Sequence, residues 1–285
     1  MAPSADRLAP GLYLVATPIG TARDITLRAL DILASAEVLA AEDTRTLRRL
    51  MDLHGMPVGD RQIVAYHDHN GPAARPRLLE ALRAGKSVAY ASEAGTPLVA
   101  DPGYRLAQAA IEEGLPVTAA PGPSAVLAAL SVSGLPSDRF LFAGFLPATR
   151  SARRSAIAEL AGVPATLIFF ESPKRVGEML GDLRDGLGGA RKAAVCRELT
   201  KRFEEVRRGT LDDLVTDFAD RPPKGEVVVL VDRDHAAPAA EDMEDALRDA
   251  LVTMSVKDAS SHVADMLGLP RRKVYQAALK LERET

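Results

Sequence analysis

The 285-residue chain has little of what marks secreted, membrane-spanning or cysteine-rich proteins. Its one cysteine, Cys196, can form neither a disulfide framework nor a cysteine metal site within a single chain. No apolar run approaches the roughly 20 residues needed to cross a bilayer. Residues 1–10 lack the apolar segment of a secretion signal, so we interpret them as a disordered leader. We therefore predict a cytoplasmic protein with no membrane partner.

Two common nucleotide-binding fingerprints are also missing. Neither G-x-G-x-x-G nor G-x-x-x-x-G-K-S/T occurs, so a nucleotide-like ligand must be held in another way. The formal net charge of −3 is unfavourable for nucleic-acid binding, because neutralised phosphates supply much of that affinity. RNA binding would need local basic patches, and the alternative is that such residues are only solvated surface. The two candidate patches are Arg150, Arg153 and Arg154, and Lys201, Arg202, Arg207 and Arg208.

What is present is the composition and pattern of a globular α/β protein. Hydrophobic residues make up 47% and charged residues 26% of the chain, which is ordinary for such proteins. Apolar strand-like runs alternate with helical patterns over residues 11–121, which predicts a parallel sheet built from βαβ units. Four of its five predicted strands end in polar or Gly/Pro loops. Those loops should converge on one edge of the sheet, where ligands bind in open α/β folds.

The pattern changes after residues 134–137, which we interpret as a hinge. Residues 135–233 predict a second α/β domain with a mixed sheet, and residues 234–241 predict a linker. Residues 241–285 then predict three short helices, whose spacing suits either a helix-turn-helix or a plain three-helix cap. The predicted fold is therefore a parallel-sheet N-terminal domain (11–134), a mixed-sheet second domain (135–233) and a small helical C-terminal domain (241–285).

The loop at residues 92–103 is the most informative stretch of the sequence. It contains two glycines, two prolines and two carboxylates in twelve residues, so it can form neither a helix nor a paired strand. One interpretation is a rigid cradle in which Glu93 or Asp101 accepts hydrogen bonds from a ligand. The other is a tight connection in which Asp101 caps the next helix, and the residues alone do not decide between them.

Other strand-end loops also allow two interpretations each. Asp43 and Arg45 could contact substrate or cofactor, although a helix cap with a surface ion pair is slightly favoured. Ser124 opens a helix whose free amides suit an anion, or it is simply the cap. His67 has no third metal ligand nearby, so we predict an exposed or substrate-facing turn and no metal site. Glu171 and Glu198 follow strands of the second domain and would line a cleft if they faced the first.

Taken together, these motifs resemble those of the bacterial 16S rRNA (cytidine-2'-O)-methyltransferases of the tetrapyrrole methylase superfamily. The resemblance extends from about Gly11 to Val231, and the helical tail is also similar. Two departures are Glu93, where the family usually has Asp, and Gly20-Thr21-Ala22, where it usually has Gly-Asn-Leu. The resemblance is carried, in chain order, by residues 17–20 with 24–26, 41–45, 67–70, 94–97 with 101–103, 121–125, 134–140, 144–147, 170–172, 197–201 and 224–226.

The resemblance implies a homodimeric, two-domain methylase that binds S-adenosyl-L-methionine between its domains. Its substrate would be a cytidine in the decoding region of 16S rRNA in the small ribosomal subunit, and its need for a 2'-hydroxyl excludes DNA. The implied catalytic residues are Asp43, Arg45, His67, Glu171 and Glu198. The implied cofactor contacts are Pro18, Ser92, Glu93, Gly95, Thr96, Asp101, Pro102, Ser124, Ala125, Phe145, Leu199 and Gly225. The implied RNA contacts are Arg150, Arg153, Arg154, Arg197, Lys201 and Arg202.

The chemistry requires a general base, since a ribose hydroxyl is a poor nucleophile until its proton leaves. Asp43, His67, Glu171 and Glu198 are all candidates, and the sequence does not choose between them. We also hypothesise that the helical tail contacts RNA or the ribosome away from the chemistry. The alternatives are a tetrapyrrole C-methyltransferase and a non-catalytic RNA-binding or ribosome-assembly factor on the same scaffold.

Overall fold

The computed structural model describes residues 8–219, 224–233, 240–267 and 269–284. The chain divides into two compact units, and the boundary along the sequence lies after Arg233. The first unit contains both sheets, and the second contains the C-terminal helices. Most of the predicted leader and of the predicted linker lies outside the described residues.

The first sheet has five strands, all parallel, in the order β3-β2-β4-β1-β5. Its interior strands are short apolar runs because helices cover both faces. Thr26 begins the first helix as the sequence predicts, since its Oγ1 accepts a hydrogen bond from Ala29 N at 3.2 Å. The elements are β1 (Gly11–Val15), a 3-10 turn (Ala22–Asp24), α1 (Leu27–Ser35), β2 (Val38–Ala41), α2 (Thr44–Leu53), β3 (Ile63–Ala65), α3 (Gly71–Arg83), β4 (Ser87–Ala91), α4 (Tyr104–Glu112), β5 (Val117–Ala120) and α5 (Ala125–Ser133).

The second sheet is mixed, in agreement with the prediction. Its order is β6-β7-β10-β8-β9, with β6 and β7 parallel and the other neighbours antiparallel. The strand containing Cys196, β8, forms an antiparallel hairpin with β9. The elements are β6 (Phe140–Phe145), α6 (Arg150–Leu160), β7 (Thr166–Glu171), α7 (Val176–Leu187), β8 (Lys192–Arg197), β9 (Glu205–Thr210), α8 (Leu211–Ala219) and β10 (Val227–Val231).

Helix α5 joins the two sheets of the first unit. It follows β5 of the first sheet, and its apolar side chains Val126, Ala129 and Leu130 pack in one buried cluster with Ile168 and Leu230 of the second sheet. Helix α5 and the second sheet therefore share a core, to which Ile19 from the loop after β1 also contributes. This packing fixes the carboxyl edge of the first sheet relative to the strands of the second.

The second unit is a three-helix assembly with a core of its own. Its helices are α9 (Ala240–Leu251), α10 (Val256–Leu267) and α11 (Arg271–Glu284). Leu247, Val263 and Val274, one from each helix, are completely buried together. Among the described helices of both units, none combines the length and the apolar character needed to span a membrane.

Candidate functional site

The predicted loops do meet at the carboxyl edge of the first sheet, where hydrogen bonds join three of them. Thr17, after β1, and Gly95, after β4, exchange backbone N–H···O hydrogen bonds of 3.0 Å in both directions. Thr96 Oγ1 donates to the carbonyl of Pro123, after β5, at 2.9 Å. Ser92 is buried and its Oγ donates to the Gly95 carbonyl. The edge is therefore a connected surface rather than a set of independent loops.

The loop at residues 92–103 is stiff and strained, as its composition suggests. Leu98 and Ala100 have φ values of +70° and +55°, which non-glycine residues rarely adopt. Gly95 has φ +83°, and a Cβ there would lie 3.2 Å from Ile19 Cγ2. The backbone path of this loop therefore requires glycine at position 95 and is maintained by its neighbours.

Asp101 forms the buried end of this loop. Its Oδ1 accepts hydrogen bonds from the Tyr90 hydroxyl at 2.8 Å and from Gly103 N at 2.7 Å. Its Oδ2 is buried and has no hydrogen-bond partner. Burial raises the pKa of the Asp101 carboxyl. It stabilises the turn before α4 and leaves one acceptor atom unused, so the structural and the ligand-binding interpretations are both open to it.

Glu42, which directly follows β2, was missed by the sequence-based selection of site residues. Burial and the neighbouring carboxylates of Asp101, Glu93, Asp68 and Asp43 together raise its pKa from 4.5 to about 7. These acidic groups come from the ends of β2, β3 and β4. The only signal in the sequence was its place at a strand end beside Asp43.

The Asp43–Arg45 pair has the geometry of a capped helix start. Asp43 Oδ1 accepts a hydrogen bond from Arg45 N at 2.7 Å, and Oδ2 lies 3.0 Å from the Arg45 guanidinium. The hydrogen bonds from Arg45 lower the pKa of Asp43. Ser124 similarly caps α5, since its Oγ accepts from Leu127 N at 3.5 Å. His67 differs, because its ring Nδ1 is buried without a hydrogen-bond partner.

The two predicted carboxylates of the second sheet are engaged in ion pairs. Glu171 is buried at the end of β7 and lies 2.9 Å from the Arg175 guanidinium. Glu198 accepts a hydrogen bond from Glu226 N at 3.0 Å and pairs with Lys201 at 3.0 Å. The Glu226 amide and then Lys201 lower the pKa of Glu198.

The loop after β8 reaches the carboxyl edge of the first sheet. Thr21 N donates to Thr200 Oγ1 at 3.1 Å, and a Cβ on Gly20 would collide with Lys201 and Thr200. Part of the predicted cofactor set is thus brought together. Leu199 lies in this loop, and the residues at the carboxyl edge are Pro18, Pro102 and Ala125. Gly225, with φ +86°, packs on Glu198. Phe145 is 58% exposed and its ring contacts that of Phe170.

The prediction that Arg153 contacts RNA is wrong. Its side chain is only 2% exposed, and its guanidinium pairs with Asp182 at 2.8 Å and with Glu178 at 3.3 Å. Arg150 and Arg154 are partly exposed but also pair with Asp182. This predicted basic patch is therefore a balanced cluster of ion pairs.

The second basic patch is also largely engaged within the protein. Arg207 pairs with Glu205 at 2.8 Å, and Arg208 donates to the Val132 carbonyl at 3.0 Å. Arg197, a predicted RNA contact outside this patch, lies 3.2 Å from Glu205 and donates to the carbonyls of Lys224 and Phe203. Lys201 pairs with two glutamates. Arg202 is exposed, and its guanidinium lies over the ring of Phe203 at 5.4 Å from the centroid. Across the described residues, no three metal-ligating side chains come together.

Comparison with known proteins identifies the family of this chain. Residues 11–215 match the tetrapyrrole (corrin/porphyrin) methylase family, and residues 237–282 match the RsmI C-terminal HTH domain family. The chain is 52% identical to ribosomal RNA small subunit methyltransferase I of Mesorhizobium japonicum, covering 96% of this chain and 93% of that protein. The Vibrio cholerae protein of the same name is 43% identical, covering 95% of each chain. This chain belongs to the small subunit rRNA methyltransferase I family.

Solved structures of tetrapyrrole methylases have the same fold as this methyltransferase. The methyltransferase CobJ superposes with a TM-score of 0.61 at 19% identity, over 80% of this chain and 95% of its own. Uroporphyrin-III C-methyltransferase from Thermus thermophilus, complexed with S-adenosyl homocysteine, gives 0.54 at 21% identity, over 77% of this chain and 96% of its own. At these identities the similarity establishes the fold alone. It confirms the predicted two-sheet methylase architecture.

Proposed function

We propose that this methyltransferase transfers a methyl group from S-adenosyl-L-methionine to the ribose 2'-oxygen of a cytidine in 16S rRNA. The observation that carries the proposal is that a methylase unit and an RsmI-type HTH unit occur in one chain. The tetrapyrrole C-methylase from Thermus thermophilus matches only 77% of this chain although 96% of its own length is covered. The additional C-terminal unit therefore favours an RNA substrate over a macrocycle.

The carboxyl edge of the first sheet suits this cofactor. S-adenosyl-L-methionine carries positive charge on its sulfonium and its amino group, and when bound it supplies a reactive methyl group. Burial, together with repulsion from the carboxylates of Asp101, Glu93 and Asp68, raises the pKa of Glu42. A cation among them would relieve that repulsion. The buried, unpartnered Oδ2 of Asp101 would accept a hydrogen bond from the ligand.

The contacts of the candidate side chains reduce the number that could act as the general base. Asp43 and Glu198 are poor bases near neutral pH because hydrogen bonds from Arg45 and from the Glu226 amide lower their pKa values. Glu171 is buried in its ion pair with Arg175. His67, with an unpartnered Nδ1, and Glu42, with a pKa of about 7, are left as the side chains suited to take up the hydroxyl proton.

The experiment uses the full chain with labelled S-adenosyl-L-methionine, offered small ribosomal subunits that lack the modification or uroporphyrinogen III. Label on a ribose 2'-oxygen of a cytidine is the expected result. Label on the macrocycle would instead support the tetrapyrrole C-methyltransferase hypothesis. RNA binding with label on neither would support the non-catalytic assembly factor.

We further propose that the second unit contacts RNA. Helix α11 begins with three exposed basic residues, Arg271, Arg272 and Lys273. Such a cluster suits phosphates. Arg272→Ala combined with Lys273→Ala should raise the KM for small subunits and leave cofactor affinity unchanged in calorimetry. Unchanged methylation kinetics, also after removal of residues 234–285, would exclude this role. A cytoplasmic homodimer remains part of the proposal, and light scattering tests its mass.

A further inference from the structure

Hydrogen bonds within the loop between β8 and β9 hold its backbone in place. Glu198 and Thr200 have φ values of +50° and +64°, which cost energy unless neighbours maintain them. The Thr200 amide donates to Glu204 Oε2 at 2.6 Å, and the Arg197 guanidinium donates to the Phe203 carbonyl at 3.2 Å. The loop is therefore a rigid support rather than a free segment.

Phe203 stands on this support with its ring in solvent. Its side chain is 62% exposed, and the Arg202 guanidinium lies over the ring at 5.4 Å from the centroid. Across the described residues, Arg202 forms no ion pair, whereas Arg197, Lys201 and Arg207 are each paired with a glutamate. No hydrophobic cluster among the described residues includes Phe203.

The same loop lies at the edge where the proposed chemistry occurs. Thr200, three residues before Phe203, is hydrogen-bonded to Thr21 at the carboxyl end of β1. Phe203 therefore belongs to a loop that contacts the loops of the first sheet. An unpaired RNA strand could bind to both Phe203 and Arg202, because bases stack on aromatic rings and phosphates attract arginine.

We propose that Phe203 and Arg202 form a stacking platform for an unpaired rRNA base that neighbours the target cytidine. This inference rests on the proposed function and names how the same site binds its substrate strand. The ring stacks on the base and contributes affinity with little sequence preference, because every base has a π-face. Arg202 stays beside the ring and neutralises an adjacent phosphate.

The test compares Phe203→Ala with Ile111→Ala, a matched control because Ile111 is also 62% exposed but lies at the end of α4, away from the site. Loss of one stacked base is worth about 1–3 kcal/mol, so Phe203→Ala should raise the KM for small subunits by roughly 5- to 150-fold. Its cofactor affinity should be unchanged, and Phe203→Tyr should restore the KM. An unchanged KM, or a change in oligomeric mass with Phe203→Ala, would overturn the platform.

A second readout does not depend on turnover. The chain contains no tryptophan, so Phe203→Trp introduces a single fluorophore at the proposed contact. Stacking on a base should quench its emission when unmodified small-subunit RNA is added, and an Ile111→Trp variant should show no quenching. RNA binding without quenching at position 203 would reject the platform even if the methylation assay succeeds. Quenching without methylation would keep the platform and reject the proposed chemistry.

Discussion

Charged side chains are concentrated both at the carboxyl edge of the first sheet and at the α6–α7 surface of the second. The two regions differ in how far their positive and negative charges compensate each other. At the α6–α7 surface, Asp182 accepts hydrogen bonds from Arg150, Arg153 and Arg154. Burial acts to raise the pKa of Asp182, yet the bonds from Arg154 and Arg153 outweigh it and lower the pKa. This cluster is complete without any ligand.

At the carboxyl edge, four neighbouring carboxylates carry charge of the same sign. Glu42, Asp68, Glu93 and Asp101 influence one another, and within the described residues none of them has an ion-pair partner. An unfavourable arrangement of this kind persists in a folded protein when the surrounding packing stabilises it and a ligand makes use of it. The comparison teaches that balance, not the amount of charge, separates the structural cluster from the binding edge.

The largest effect is expected from breaking the balanced cluster. Arg153→Ala removes the nearest cation of the buried Asp182 and leaves it only the bonds from Arg150 and Arg154, which costs about 1.5–3 kcal/mol of unfolding free energy. Urea denaturation measures that loss, while the folded fraction should bind S-adenosyl-L-methionine with unchanged affinity. Arg150→Ala is the control, because its side chain is 70% exposed and its loss should cost less than about 1 kcal/mol. Equal losses in the two variants would contradict the structural role of Arg153.

A smaller effect on stability, with a clear effect on binding, is expected at the carboxyl edge. Gly95→Ala places a side chain at φ +83° and 3.2 Å from Ile19, which should cost about 1–2 kcal/mol and shift the loop. Cofactor affinity should fall roughly tenfold or more, equivalent to about 1.4 kcal/mol. Gly114→Ala is the matched control, since Gly114 has φ +70° and open space around it. If both variants bind the cofactor like the wild type, the loop is only structural.

The strands were predictable because their burial is written into the local sequence. The apolar runs predict strands over 38–41 and 87–91, which are the observed bounds of β2 and β4, since a strand covered on both faces is continuously apolar. Helix α8 was missed. Its signal was present, because Thr210 and Asp213 exchange side-chain hydrogen bonds with each other's amides, as in a capping box.

The site was less predictable because its properties come from contacts between distant segments. Arg153 looks like its neighbours in sequence, and only the packing of α6 on α7 buries it against Asp182. The raised pKa of Glu42 depends on carboxylates that lie between one and about sixty residues away in the chain. Local patterns cannot express either property, although the alternation of strands and helices did predict that these loops meet at one edge of the sheet.

The smallest effect is expected from Glu42→Gln, which removes one of the like charges at the carboxyl edge. The pKa of Glu42 is about 7 in the folded protein and 4.5 in the unfolded chain, so the folded state binds more protons between these values. Folding stability should therefore fall as the pH rises from about 4.5 to 7. Glu42→Gln cannot ionise and should stabilise the protein at pH 8 by about 1 kcal/mol. We expect less than the roughly 1.4 kcal/mol per pKa unit of full linkage, because the side chain is partly solvated.

Thermal unfolding at pH 4 and pH 8 measures this difference. Glu42→Gln should match the wild type at pH 4, where the carboxyl is protonated in both states, and should melt at a higher temperature at pH 8. Glu80→Gln, on the exposed face of α3, is the control for the substitution itself. At pH 8 the same Glu42→Gln variant should bind the cationic cofactor more weakly, because it removes a negative charge. A gain in stability accompanied by a loss of affinity is what distinguishes a ligand-binding edge from a poorly packed surface, and a variant that loses both would place Glu42 among the structural carboxylates.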